Sequence, residues 1–102
     1  MPYLMTRFAA LAERPDIAQR LPKGLLYEVQ KLFVDTASLN SPYPWPTLLK
    51  LLPVSHIVFG TDFPFFSAEV IAKGLSEVGL KTSDLQAIER DNALELFPRL
   101  RK

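Results

Sequence analysis

Two aspartates carry the chemical interest of this sequence, because each follows an apolar run. Asp62 stands in Phe59-Gly60-Thr61-Asp62-Phe63-Pro64, directly behind Ile57-Val58-Phe59. A carboxylate there projects from the C-terminal end of a strand, the edge at which α/β barrels and open sheets place their sites. Walled by Phe63, Phe65 and Phe66, it would be partly desolvated, which favours the protonated acid unless a cation or metal holds the charge. Capping a helix or turn is the competing role. Asp35 has the same placement in Phe33-Val34-Asp35-Thr36. Two carboxylates at neighbouring strand ends could share a metal or a proton. The simpler use of Asp35 is local, accepting from backbone amides of the loop that begins with Ala37 and Ser38.

Other candidates are weaker. His56, the single histidine, precedes the second apolar run and falls on the side opposite the expected site. Arg7 and Arg14 bracket the first helical pattern, and a guanidinium clamps a carboxylate better than an ammonium does. Solvation at the surface is the default for both. Tyr43 and Trp45 could wall a pocket above the strand ends, although packing at the rim is the commoner use of such rings.

The elements that must position these groups follow from periodicity and from proline. Tyr3, Leu4, Phe8, Leu11 and Ala12 recur at helical spacing behind Pro2, and the pattern stops near Arg14-Pro15. Asp16 is placed to cap a short turn through Arg20, before Pro22 and Gly24 interrupt the chain. A helix is predicted over 25–31, then a strand at Leu32-Phe33-Val34 ended by Asp35-Thr36. The three prolines of Ser41-Pro42-Tyr43-Pro44-Trp45-Pro46 argue against regular helix there. A helix over 47–52 closes at Pro53, and Ile57-Val58-Phe59 reads as a strand covered on both faces. Ser67 caps a helix through Val78 that Gly79 stops, and Thr82 or Ser83 caps a last one over 84–97. The resulting order is α, α, β, α, β, α, α.

Two strands separated by a helix make a parallel βαβ unit. Two parallel strands leave two open, apolar edges, so the chain reads as part of a larger α/β protein. Its 102 residues, 48% hydrophobic and 23% charged, fit one globular domain at most. Twelve basic against eleven acidic residues leave a net charge of +1, with no excess to favour nucleic acid or an anionic membrane. The basic end Arg99-Leu100-Arg101-Lys102 reads as solvated charge. No cysteine is present, which fits a reducing compartment, and one histidine without cysteine cannot build a metal site of the usual three or four ligands. The first twelve residues lack the pattern of a secretory leader, and no apolar stretch approaches the roughly 20 residues that span a bilayer. The expected location is the cytoplasm.

The stretch Ile57-Val58-Phe59-Gly60-Thr61-Asp62-Phe63-Pro64-Phe65, followed by Ile88-Glu89-Arg90-Asp91-Asn92-Ala93-Leu94-Glu95-Leu96-Phe97, resembles the C-terminal end of the amidohydrolase-related metal-dependent barrels. The likeness is to their decarboxylase branch, with its aminocarboxymuconate-semialdehyde and salicylate-type enzymes. Motif order agrees as well: Pro2 with Arg7 five residues on, a strand ending Asp35-Thr36-Ala37, a strand ending Gly60-Thr61-Asp62 before Pro64, and Asn92-Ala93. Essentially the whole chain is covered. The resemblance implies a (β/α)8 TIM barrel of which residues 1–102 form the last quarter, strands seven and eight with their helices.

It further implies that Asp62 binds a divalent metal, zinc in first place, and takes part in proton transfer. Arg7 is implied to pair with the substrate carboxylate, sometimes that of a neighbouring subunit's site, with Arg14 a looser second match. Asp35 matches a family position without an implied ligand role. The implied substrate is a small aromatic or unsaturated carboxylic acid, and the implied partners are the remaining barrel strands or a homodimer mate, with neither nucleic acid nor membrane. The family's His-x-His on strand one and its histidines on strands five and six have no counterpart here. One ligand cannot hold a metal in fixed geometry against water, so the isolated chain is expected to bind none tightly and to be inactive. Two alternatives stay open: part of a hydrolase of the same superfamily, using metal-bound hydroxide on an amide or lactone, and a non-catalytic truncated or interaction protein.

Overall fold

Prolines and glycines cut the chain into short elements, and the computed structural model, which describes residues 2–101, divides them between two compact units, Met1–Leu32 and Phe33–Lys102. In the first, a 3-10 turn at Pro2–Leu4 leads into α1 (Met5–Ala12). Arg14 is extended, as a residue before proline prefers, and Pro15 opens α2 (Pro15–Ala18). Asp16 is therefore not the cap expected of it. It lies within the first turn, where its charge still complements the helix N-terminus. Gly24, at φ +86°, swings the chain into α3 (Leu25–Val29), which buries Val29, and α1 packs with both α2 and α3.

The second unit holds a sheet that, among the described residues, has two strands. β1 (Val34–Asp35) and β2 (Ile57–Val58) run parallel, with Val34 opposite Ile57 and Asp35 opposite Val58. β1 starts later than the apolar run suggested. Leu32 and Phe33 remain exposed, and the Phe33 ring stacks on that of His56 with centroids 4.3 Å apart.

Between the strands lies α4 (Trp45–Leu51), which begins inside the proline-rich segment. Pro46 falls in its first turn, where a backbone N–H has no intrahelical partner to lose, so proline is tolerated there. The early start buries the Trp45 ring, whose Nε1 donates to the Leu39 carbonyl at 3.1 Å. A 3-10 turn, Val54–His56, then delivers the chain to β2.

α5 (Ala68–Ser76) is capped by Ser67, whose Oγ accepts from the Val70 amide at 3.3 Å. Its buried face presents Ile71 and Leu75 to a core that also holds Trp45, Leu48, Ile57 and Ile88. Gly74 is on that face because a Cβ there would lie 2.5 Å from the Asn40 Cα.

The last helix is one run in three parts: α6 (Thr82–Gln86), a π turn at Ala87–Asp91, and α7 (Asn92–Leu96), followed by a 3-10 turn at Pro98–Leu100. Neither Thr82 nor Ser83 caps it. Lys81 holds the cap position without a side-chain bond, which places both hydroxyl residues inside the helix. Arg101 pairs with Glu95, so the basic end is partly self-neutralised. Lys102 lies outside the described residues. Among the described residues no helix is long and apolar enough to cross a membrane.

Candidate active site at the strand ends

Beyond Asp35 the two strands continue side by side through a side chain. The Thr36 amide donates to the Val58 carbonyl at 3.1 Å. Its Oγ1 donates to the Gly60 carbonyl at 2.9 Å and accepts from the Gly60 amide at 3.1 Å. Thr36 is fully buried. Gly60 fits against it only without a side chain, since a Cβ would meet the Asp35 Cβ at 2.9 Å. The chain then turns: Thr61 Oγ1 accepts from the Phe63 amide at 3.1 Å, and the Asp62 carbonyl accepts from the Phe65 amide at 2.9 Å.

Asp62 itself adopts φ +61°, a left-handed conformation that aspartate tolerates better than most residues but that remains uncommon. Its carboxylate is exposed and has no hydrogen-bond or ion-pair partner among the described residues. The expected aromatic wall is not there. Phe63 and Phe65 are each 80% exposed, so the turn that presents Asp62 leaves both rings in solvent beside the exposed carboxylate, and of the three expected rings only Phe66 is half-buried.

Asp35 takes the local role. Its Oδ1 accepts from the Ala37 amide at 2.8 Å, and its exposed side chain fills the space beside Gly60. Tyr43 is 84% exposed and walls nothing, whereas Trp45 is spent on the core. Arg7, on α1, is exposed, and Arg14 pairs with Asp16 at 3.3 Å across an exposed turn. Both arginines belong to the first unit and Asp62 to the second.

Among the described residues no group of three or more His, Cys, Asp or Glu side chains could hold a metal ion. The described residues therefore do not by themselves fit a divalent cation. Two residues of the site region carried no assigned role in the sequence: Thr36 and Asn92. Asn92 is buried, and its Nδ2 donates to the carbonyls of Val54 at 2.7 Å and Ile57 at 2.8 Å, holding the entry to β2. A polar side chain four positions beyond Ile88, on a stripe otherwise apolar, was the available signal, because a buried amide must find partners.

Known proteins resemble this chain along its whole length. It is 30% identical over 105 residues to the 6-methylsalicylic acid decarboxylase of Penicillium expansum, a match spanning 99% of this chain and 32% of that protein. The decarboxylase macB of Penicillium terrestre is 27% identical over 107 residues, with the same shares. The chain is a homologue of these two fungal decarboxylases. It spans about a third of the length of the curated decarboxylases it matches. No protein-family model matches the sequence.

The fold agrees with this kinship. The solved structure of 2,6-dihydroxybenzoate decarboxylase complexed with 2,6-dihydroxybenzoate superposes with a TM-score of 0.74 at 20% identity, over 96% of this chain and 31% of its own. The same decarboxylase from Rhizobium gives the same values. Two parallel strands with flanking helices thus match a portion of the TIM-barrel fold of that structure.

Proposed function

We propose that this chain supplies the C-terminal strands, seven and eight, of a metal-dependent decarboxylase acting on aromatic or unsaturated carboxylic acids. The observation that carries this reading is the alignment with two decarboxylases over 99% of the chain. Asp62 is the residue best equipped to serve it, with an exposed carboxylate at the C-terminal end of a parallel strand.

In the reaction, a proton adds to the carbon that bears the substrate carboxylate. The bond from that carbon to the carboxylate then breaks, its electron pair returns to the ring or enoate, and carbon dioxide leaves. As the acid, Asp62 would deliver that proton and regain one from solvent, to which its exposure gives it access. A divalent ion, zinc in first place, would draw on Asp62 together with ligands from outside this chain, since these residues alone do not hold one. Arg7 would pair with a carboxylate. Arg14 is a second candidate, because its exposed pair with Asp16 is of a kind that contributes about 0–1 kcal/mol and yields readily to another anion. The remaining barrel strands, or a homodimer mate, are the partners this reading calls for. A cysteine-free composition fits the cytoplasm as the place of work.

The test is carbon dioxide release by the complete protein from 6-methylsalicylate and 2,6-dihydroxybenzoate. Turnover of either, abolished in Asp62→Ala, is the expected result, with Arg7→Ala raising KM. Absence of release from both acids overturns the reading, and full turnover by Asp62→Ala removes Asp62 from the site.

A further inference from the structure

We infer that Thr36 is a positioning residue for Asp62, acting through the backbone of Gly60; the inference rests on Asp62 being the reacting carboxylate. Paired strand residues end at Asp35 and Val58, so the regular ladder stops short of the segment that leads to Asp62. Thr36 takes over where the ladder ends. A single oxygen, Oγ1, donates to the Gly60 carbonyl at 2.9 Å and accepts from the Gly60 amide at 3.1 Å, so both polar groups of that residue are fixed by one atom.

Burial makes the hold effective. Thr36 is fully buried, and water does not compete for its hydroxyl. From the other side the Asp35 side chain stands where a Gly60 Cβ would come within 2.9 Å. Held by an oxygen on one side and blocked by a side chain on the other, Gly60 cannot slide along β1. Asp62, two residues on and already committed to φ +61°, goes where Gly60 sends it. The small displacement that loss of this hold allows is of the size that costs on the order of 10²-fold in rate when it misplaces a reacting group.

A serine can make both bonds, while a valine keeps the shape of threonine and makes neither. The test compares Thr36→Val and Thr36→Ser in the complete protein by amide hydrogen exchange and steady-state kinetics. In Thr36→Val the Gly60 amide is expected to exchange at least about tenfold faster while the Ile71 amide, bonded to the Ser67 carbonyl in α5, keeps its protection. Its kcat is expected to fall on the order of 10²-fold with KM nearly unchanged, and Thr36→Ser should restore both quantities. Unchanged Gly60 protection, acceleration spread evenly over Gly60 and Ile71, or full kcat despite lost protection each overturns the inference. A parent protein without decarboxylase turnover but with the same Gly60 response overturns the decarboxylase reading and upholds the hold of Thr36 on Gly60.

Discussion

Asn92 reaches from the start of α7 to the carbonyl of Ile57, 35 residues earlier in the chain, and bonds it at 2.8 Å. With its second bond, to Val54, the amide ties the last helix to the 3-10 turn that leads into β2. Thr36 and Asn92 thus grip β2 from its two ends, one through Gly60 and one through Ile57.

Removing that amide takes the side-chain donor from the buried Ile57 carbonyl, while the Val54 carbonyl keeps the Ile57 amide. Asn92→Ala should lower stability by about 1–3 kcal/mol, the usual penalty for orphaned buried polar groups. Asn92→Asp should cost at least as much, because it faces two carbonyls with an acceptor. Urea unfolding checks this, as a lower midpoint with an unchanged slope.

At Gly74 two effects oppose each other. Alanine is favoured over glycine in a helix by about 1 kcal/mol, but overpacking costs typically about 1–3 kcal/mol. The obstacle is the backbone of Asn40, 2.5 Å from the added carbon, and it cannot move aside as a flexible side chain would. Gly74→Ala should therefore melt at a lower temperature than the parent in a thermal scan.

The exposed Glu69 sits in the first turn of α5 with its carboxyl held below the ordinary glutamate range, first by a backbone amide and then by Ser67. A group depressed in the folded state contributes stability that is present above its unfolded value and is lost as pH falls through its folded one. The contribution should fade on acidification below the normal glutamate range. An NMR titration of Glu69 checks the shift, which Ser67→Ala should reduce.

Zinc added to the 102-residue chain should give no calorimetric signal of tight binding, because no three ligating side chains are grouped among the described residues. Micromolar binding that disappears in Asp62→Ala would mean that other ligands assemble around Asp62 within this chain.

Much of the second unit was legible in the residues. Ile57-Val58 announced a covered strand by lacking any alternation, and Asp35 announced a turn by preceding Ala37 and Ser38. Failures came where a local preference met a tertiary one. Leu32 and Phe33 have strand-favouring side chains, but the pairing register begins at Val34. Trp45 stood among prolines that argue against helix, yet burying its ring pulled the helix start back to it. The desolvated pocket expected around Asp62 failed for another reason. Aromatic residues next to a carboxylate in sequence wall it only if the turn folds them over it, and this turn leaves Phe63 and Phe65 outside. Thr36 was unreadable as a latch because its partner, Gly60, is 24 residues away.

The π turn at Ala87–Asp91 governs what insertions and deletions this region can accept. A π turn accommodates one residue more than an α turn does, and each α-helical residue rotates the chain by roughly 100°. Deleting a single residue between Ala87 and Asp91 would remove that extra residue and let the segment relax into plain α-helix with its flanking turns still in phase. Such a deletion would leave Asn92 facing Ile57, whereas one within Thr82–Gln86 would swing the residues beyond it by about that angle and carry the Asn92 amide away. The π turn is thus the place where this helix can lose a residue and keep its hold on β2.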